Sequence, residues 1–263
     1  MSLHNAAFTQ DYAPQYILPN LLLIHAWYEP LNPLSFNTPS WSISVEFYMY
    51  ILLFMTLACS IAYRWLVWLC ISIFSFILIA TESTLLTSQV LRGLSCFFAG
   101  TICYLLYRTQ YWGQLKISTI TATIIEIILL LLVWYLVQSE IEYKSILASI
   151  LFFIVVLFFS IEAGYLSKIF KYEVFQLFGR LSYSIYMTHG VNTYIITAIF
   201  LLLPKMFGLE YSIVWNGERY FSLGSPMFDN ILIMLILSFV IGLAWLTYRY
   251  IELPGQRMGK KFI

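Results

Sequence analysis

Apolar runs of about 20 residues recur along this chain of 263 residues, and they restrict its fold more than any other feature. A helix of that length crosses the hydrocarbon layer of a bilayer while all its backbone groups stay hydrogen-bonded. The predicted fold class is therefore all-α, a polytopic transmembrane helix bundle forming a single domain over residues 1–263. The seven predicted spans are residues 41–63, 65–81, 92–107, 117–138, 145–163, 181–203 and 229–251.

Composition excludes several other classes of protein. Apolar residues make up 61% of the chain and charged residues 10%, whereas a soluble domain has about 45–50% and about 25%. A water-soluble globule and a disordered chain are both excluded. The net charge of +1 provides no basic stripe, so no nucleic-acid partner is expected. Four cysteines lie in apolar runs without a CxxC pair, which predicts buried thiols and no metal site.

The distribution of Lys and Arg predicts the orientation in the membrane. With seven spans the two chain ends lie on opposite sides, and the N-terminal side carries 4 basic residues against 10 on the other. Basic residues concentrate on the cytoplasmic side, so the C-terminus is predicted inside and the N-terminus outside, in the plasma (inner) membrane. The start of the chain has no signal-peptide pattern. An external N-terminus of this kind suggests a chain that begins partway through a longer bundle.

The first polar pattern is NTPSWSISVEFY at residues 37–48, at the start of the first predicted span. Ser40 is predicted to cap this helix, and Trp41 follows it. Ser42 and Glu46 are four residues apart and share a helix face. A carboxylate inside a membrane helix is costly unless it faces protein or water. Glu46 therefore either anchors neighbouring helices or has a substrate-binding or catalytic role.

A second pattern, LRGLSCFFAG at residues 91–100, opens the third predicted span. Gly93 and Gly100 are predicted to allow close helix packing, because small residues let membrane helices approach. Arg92 either contacts an anionic group or extends its charge to the membrane surface.

The third pattern is FGRLSYSIYMTH at residues 178–189. At 100° per residue, Ser182, Tyr186 and His189 lie on one helix face, with Tyr183 beside them. Polar groups at this density are predicted to face the bundle interior or a polar cavity. His189 is then either a hydrogen-bonded core histidine or a functional group.

Four further ionisable residues lie outside these patterns. Arg249 and Glu252, in YRYIELP at residues 248–254, have the spacing of a local ion pair. Glu126, within the fourth predicted span, has no polar neighbours in sequence and is predicted to be structural. His25 precedes the first span and titrates near neutral pH, so it is either a proton carrier or a polar surface residue. No phosphate-binding loop, metalloprotease motif or nucleophile elbow is present in the sequence.

Taken together, these segments resemble the acyltransferase-3 family of integral membrane O-acyltransferases. The resemblance covers roughly residues 17–257. It is carried by residues 22–27 (LLIHAW), 39–48 (PSWSISVEFY), 179–189 (GRLSYSIYMTH) and 250–254 (YIELP), with Phe97 and Gly100 between them.

The resemblance implies an activity and a set of site residues. Members of the family transfer acyl groups, often acetyl, from acyl-CoA to hydroxyls of cell-surface glycans. The implied partners are acyl-CoA, a carbohydrate acceptor and the lipid bilayer, and neither a bound cofactor nor a metal is expected. The implied catalytic residues are His25, Glu46 and His189. The implied substrate-binding residues are Trp41, Ser42, Arg92, Ser182, Tyr183, Tyr186 and Glu252.

The chain departs from the family pattern at its N-terminus. The family carries a basic residue and a histidine in its first helix and a later Arg-x-x-Arg segment, and neither is found here. The expectation is an N-terminally truncated member that is weak or inactive alone, or one that needs a second chain to supply the missing helices. A transporter for a polar solute and a non-catalytic membrane scaffold are the alternatives.

Overall fold

The computed structural model describes residues 10–59, 63–109, 117–207, 212–215 and 218–261. Contacts between residues divide the chain into two compact units, Met1–Tyr172 and Glu173–Ile263. Seven helices of 16 residues or more lie where the seven spans are predicted, which confirms the all-α fold class.

The first unit begins with short elements and continues with long helices. Single 3₁₀ turns occur at Gln10–Tyr12, Pro14–Tyr16 and Glu29–Leu31. The predicted 41–63 span ends earlier than expected, and its residues 60–62 lie outside the described ranges. The helices are α1 (Ile17–Leu21), α2 (Ser40–Ala58), α3 (Arg64–Ala80), α4 (Ser88–Tyr107), α5 (Thr119–Gln138), α6 (Lys144–Phe159) and α7 (Tyr165–Ile169).

The second unit contains two long helices and a hairpin. Its first helix begins eight residues before the predicted span at 181 and runs without a break. Two antiparallel strands, in which Ser212 pairs with Phe221, form between the spans predicted at 181–203 and 229–251. The elements are α8 (Glu173–Phe207), β1 (Ser212–Trp215), β2 (Glu218–Phe221), α9 (Pro226–Thr247), a π-helical turn (Tyr248–Glu252) and α10 (Leu253–Gly259).

Length and hydropathy separate these helices into two groups. Among the described residues, four helical segments are long and apolar enough to cross a membrane: α2, α4, α5 and the continuous stretch Pro226–Gly259. Helices α3 and α6 are apolar but shorter. The outer surfaces of the long helices in both groups carry many exposed large apolar side chains, as expected where lipid replaces water as the solvent.

The core of the first unit lies where α2, α3 and α4 meet. Gly93 on α4 makes the closest approach, because a Cβ built there would lie 2.5 Å from Val45 Cγ1 and 2.6 Å from Met49 Cε. This contact confirms the predicted packing role of Gly93, whereas nothing lies within 4 Å of the same position at Gly100. The buried apolar residues of this core are Ala26, Val45, Met49, Trp68, Val90, Leu94 and Phe98.

Glu126 connects α5 to the start of α7. Its side chain is buried, and its Oε2 accepts a hydrogen bond from the Leu166 backbone N–H at 3.0 Å. One turn earlier on α5, Thr123 Oγ1 accepts from the Tyr165 N–H at 2.9 Å. A Cβ at Gly164 would lie 2.1 Å from Glu126 Oε2, so no larger residue fits there without displacing the carboxylate. These contacts agree with the structural role predicted for Glu126.

The prediction of four buried thiols is wrong for three of them. All four cysteines are free thiols, but only one of them is buried. The other three are exposed, and one of them, Cys96, donates from Sγ to Ser149 Oγ on α6 at 3.2 Å. The buried residue is Cys103, and the exposed ones are Cys59, Cys70 and Cys96.

The close packing at Gly93 can be tested with a matched pair of substitutions on α4. We expect Gly93→Ala to lower the stability by about 1–3 kcal/mol, because the new methyl group overlaps the stiff β-branched Val45. Gly100→Ala adds the same methyl group where no neighbour lies within 4 Å. Thermal unfolding in detergent, followed by circular dichroism, measures both. Equal effects of the two substitutions would contradict the packing described.

A second test concerns the carboxylate of Glu126. Glu126→Ala should lower the stability by about 1–3 kcal/mol, since the Leu166 N–H loses its buried acceptor. Glu126→Gln keeps a side-chain oxygen and should cost less. The exposed Glu142 provides the control, because Glu142→Ala removes a carboxylate that contacts no buried donor. The role assigned to Glu126 is wrong if all three variants unfold at the same temperature.

Candidate active site

His25 and Ser40 form a side-chain pair at the start of α2. The His25 side chain is fully buried, and its Nε2 lies 3.1 Å from Ser40 Oγ. Ser40 is half-buried and is the first residue of α2. The predicted cap is therefore wrong: Pro39 occupies the N-cap position, and no side chain caps this helix.

The environment of His25 favours the neutral imidazole. His25 lies outside the membrane-spanning helices, and burial lowers its pKa from about 6.5. The Pro19 backbone carbonyl favours the charged form, but its effect is smaller. Within the described ranges Nδ1 has no well-formed hydrogen bond. Because a carbonyl can only accept, the tautomer with the proton on Nδ1 suits Pro19 and leaves Nε2 to accept from the Ser40 hydroxyl.

Two hydroxyl groups fix the loop that carries His25. Ser44 Oγ on α2 donates to the Leu23 carbonyl at 2.5 Å and accepts from the Ala26 N–H at 3.3 Å. Thr87 Oγ1 donates to the Ala26 carbonyl at 2.5 Å and accepts from the Val90 N–H, so it also caps α4. Both backbone groups of Ala26 are thereby satisfied by side chains from two helices. Sequence reasoning did not identify either residue, because a buried hydroxyl has no distinctive spacing.

The other predicted residues of α2 do not join this pair. Glu46 is exposed and forms no hydrogen bond or ion pair with any other described residue. Ser42 Oγ donates to the Pro39 carbonyl at 3.0 Å, within its own helix turn. Trp41 is half-buried and packs against the core of the first unit. The catalytic role of Glu46 and the substrate contacts of Trp41 and Ser42 stay predictions.

Arg92 lies on the surface of α4. Its side chain is exposed, and it forms no ion pair within the part of the chain that the structure describes. A guanidinium in this position retains all its donors for an anion or for lipid headgroups. Its substrate-binding role also stays a prediction.

A cavity of about 410 Å³ opens beside α1. Its lining combines a phenol, a carboxylate and two side-chain amides, which offer both donors and acceptors. Asn32 has a left-handed backbone (φ 52°), and its Nδ2 donates to Asp11 Oδ1 at 2.9 Å. Sequence reasoning missed this cavity, although Tyr, Pro and Asn are dense over residues 12–37. The lining residues are Tyr16, Glu29, Pro30, Asn32, Pro33, Leu34 and Gln89.

In the second unit, Glu252 is held by Ser184 and Gln256. Ser184 Oγ donates to Glu252 Oε2 at 2.9 Å, and Gln256 Nε2 donates to Oε1 at 3.1 Å. The predicted ion pair between Arg249 and Glu252 does not form, because the Arg249 guanidinium lies 5.2 Å from the Trp245 ring centroid. Glu252 belongs to the π-helical turn after α9, a rare geometry that occurs often at functional sites.

The buried polar face of α8 differs from the predicted one. Ser184 and Asn192 are buried, and Thr188 between them donates to the Ser184 carbonyl at 2.7 Å. Asn192 Nδ2 donates to Thr188 Oγ1 at 3.4 Å, while its buried Oδ1 has no partner among the described residues. The prediction that the face with His189 points inward is wrong. The four predicted residues of this helix are all exposed: Ser182, Tyr183, Tyr186 and His189.

His189 has a defined tautomer on this exposed face. Its Nδ1 lies 2.5 Å from the Tyr186 carbonyl, which can only accept, so Nδ1 carries the proton. The centroids of the His189 and Tyr186 rings lie 5.5 Å apart. The contact of Nδ1 with its own helix turn leaves Nε2 as the ring nitrogen available to a ligand.

The comparison with protein families identifies the chain. The acyltransferase domain of the acyltransferase-3 family matches residues 2–249, almost the whole sequence. No curated protein and no solved structure matches it. Within the described ranges, no group of three or more His, Cys, Asp or Glu is placed to hold a metal ion. With its apolar spanning helices and this family match, the chain belongs to the acyltransferase-3 family and is an integral membrane acyltransferase.

Proposed function

We propose that this protein transfers an acyl group, such as acetyl, from acyl-CoA to a hydroxyl of a cell-surface glycan at the plasma (inner) membrane. The observation that carries the proposal is the pair formed by His25 and Ser40, a buried neutral imidazole in contact with a hydroxyl. Acyl transfer to an alcohol needs a general base near neutral pH, and an imidazole in this state fulfils that need.

His25 acts as the base of the reaction. Nε2 accepts the proton of the attacking hydroxyl, whose oxygen adds to the carbonyl carbon of the acyl thioester. The C–S bond then breaks, and the proton passes from the imidazole to the leaving thiolate. The N-terminus of the 19-residue helix α2 stabilises the negative charge on the carbonyl oxygen, because the helix dipole is positive there.

The cavity beside α1 receives the acceptor. Sugars present hydroxyls on all sides and apolar ring faces, and the lining offers Glu29, Gln89 and the Tyr16 ring to match them. Helix α1 connects this cavity to the catalytic pair: Asn20 Nδ2 donates to the Tyr16 carbonyl at 2.8 Å, and its neighbour Pro19 contacts His25. On the predicted orientation this part of the chain is extracytoplasmic, the side on which surface glycans lie.

The exposed polar face of α8 contacts the acyl donor at the cytoplasmic end of the path, and the acyl group crosses the membrane to reach His25 on the other side. His189 Nε2 and the hydroxyls of Ser182, Tyr183 and Tyr186 form a mixed set of donors and acceptors near the predicted cytoplasmic end of this helix. Acyl-CoA is a cytoplasmic metabolite with amide, hydroxyl and phosphate groups that such a set can hydrogen-bond. On the same orientation Glu252 and Arg249 are also cytoplasmic.

The two histidines should respond differently to the same substitution. His25→Gln removes the base, so we expect kcat to fall by about 10²–10⁴-fold. His189→Gln removes a contact with the acyl donor, so we expect a higher KM for acyl-CoA with a smaller change in kcat. The measurement uses membrane vesicles containing the protein, labelled acetyl-CoA and a surface polysaccharide. Full activity of His25→Gln would refute its role, and solute flux without acyl transfer would favour a transporter.

The lowered pKa of His25 sets the pH dependence of transfer. Because burial favours the neutral form, His25 gains its proton at a lower pH than an ordinary imidazole, whose pKa is about 6.5. The rate should therefore fall as the pH is lowered, and the midpoint of that fall should lie below pH 6.5. The same group stabilises the fold above pH 6.5, and this contribution is lost as the pH falls through the lowered pKa. A profile of kcat/KM against pH measures the effect, and a midpoint at or above pH 6.5 would contradict it.

A further inference from the structure

We infer that Ser40 is a nucleophile that carries the acyl group as a covalent ester between donor and acceptor. The inference rests on the proposed function and adds an intermediate to it. It is drawn from the geometry at the start of α2, where the Ser40 hydroxyl lies 3.1 Å from His25 Nε2. A hydroxyl within hydrogen-bond reach of an imidazole is the arrangement that activates serine in nucleophilic catalysis.

The direction of this hydrogen bond favours activation. The His25 ring is buried, and Ser40 Oγ is the one described atom that forms a well-defined hydrogen bond with it. With the proton on Nδ1, Nε2 accepts from the Ser40 hydroxyl, which is the direction that activates the serine. The Pro19 backbone acts on the imidazole as an acceptor, which favours a proton on the ring nitrogen that Ser40 does not contact.

Other helices in the chain show what a hydroxyl at a helix start ordinarily does. Thr87, Ser118 and Ser225 precede α4, α5 and α9, and each accepts a hydrogen bond from a backbone N–H of the first turn. These bonds are ordinary N-caps, which stabilise helices by about 1 kcal/mol. Ser40 makes no such bond, and α2 has no side-chain cap. Its hydroxyl is directed at an imidazole, which gives the helix no comparable stabilisation.

Exposure distinguishes Ser40 from the other serines near this site. Ser44 and Ser35 are fully buried, and each bonds backbone carbonyl groups. Ser42 bonds the Pro39 carbonyl of its own turn. Ser40 alone among these four combines a histidine partner with a partly accessible side chain. A nucleophile needs both, because the substrate carbonyl must reach the oxygen while the base takes its proton.

The reaction balances in two steps. Ser40 Oγ adds to the thioester carbonyl while His25 Nε2 takes its proton; the C–S bond breaks, and the thiol leaves with that proton. The acyl group is then an ester on Ser40. In the second step the acceptor hydroxyl loses its proton to His25 and attacks the ester carbonyl. The C–O bond to Ser40 breaks and the serine regains the proton, so a thioester and an alcohol give an ester and a thiol.

Trapping the intermediate tests the inference. The protein in membranes is incubated with isotopically labelled acetyl-CoA without acceptor, quenched in acid, digested and analysed by mass spectrometry. We expect one labelled acetyl group on the peptide containing Ser40, and its release on addition of the polysaccharide. Ser40→Ala should abolish this label and lower transfer by more than about 100-fold.

Two further variants keep the result interpretable. Ser118→Ala removes an exposed hydroxyl at the start of another helix, α5, and should retain both label and transfer. Ser40→Cys keeps a nucleophile and should bind the label as a thioester, which neutral hydroxylamine cleaves faster than the serine ester. A folded but inactive Ser40→Ala protein is thereby distinguished from a misfolded one.

The outcomes separate this inference from the proposed function. Transfer by Ser40→Ala at the wild-type rate, or label on another residue, overturns the covalent intermediate and leaves the acyltransferase intact. Wild-type protein that neither takes up label nor acylates any polysaccharide overturns both proposals. Label on Ser40 with no transfer to the polysaccharide supports the intermediate and contradicts the proposed acceptor.

Discussion

The hydrogen bonds that hold Ala26 between α2 and α4 are the interaction on which the candidate site depends. A non-helical segment beside membrane helices cannot rely on water to satisfy its backbone, so its polar groups need partners within the protein. Ser44 and Thr87 supply those partners to the N–H and the carbonyl of Ala26. Ala26 is thus fixed through both of its backbone groups. His25 directly precedes Ala26 in the chain, so the position of the histidine backbone is defined as well.

This attachment holds a fully buried histidine in place. Its Nε2 is hydrogen-bonded to Ser40, while Nδ1 has no well-formed partner among the described residues. Burial favours the uncharged ring, for which desolvation costs less than for the charged one. Trp27, two residues further, donates from Nε1 to the Ser44 carbonyl and packs edge-on against Tyr48. The LLIHAW segment is thus held on both sides of His25, which fixes the imidazole relative to the start of α2.

The positions of the long helices could be predicted because the thickness of a bilayer fixes their length. The partners of polar side chains could not, because the groups that meet are far apart in sequence: 15 residues for His25 and Ser40, 40 for Glu126 and Leu166, and 68 for Ser184 and Glu252. Periodicity also fails where a helix is apolar on all sides, since no face is then marked as inner. On α8 the hydroxyls occur on two faces, and the structure buries the one containing Ser184 and Asn192. For His25, the sequence indicated an ionisable group outside a span but gave no sign of its partner.

Two of the serines that contact ionisable side chains, Ser40 in the first unit and Ser184 in the second, differ in what they can do. Ser184 donates to the carboxylate of Glu252 and is 4% exposed, so its hydroxyl anchors the π-helical turn and is closed to a substrate. A carboxylate is also a weak base, since its ordinary pKa lies near 4. Ser40 instead contacts an imidazole and is partly accessible. Basicity and access therefore favour Ser40 as the nucleophile and leave Ser184 as a structural hydrogen bond.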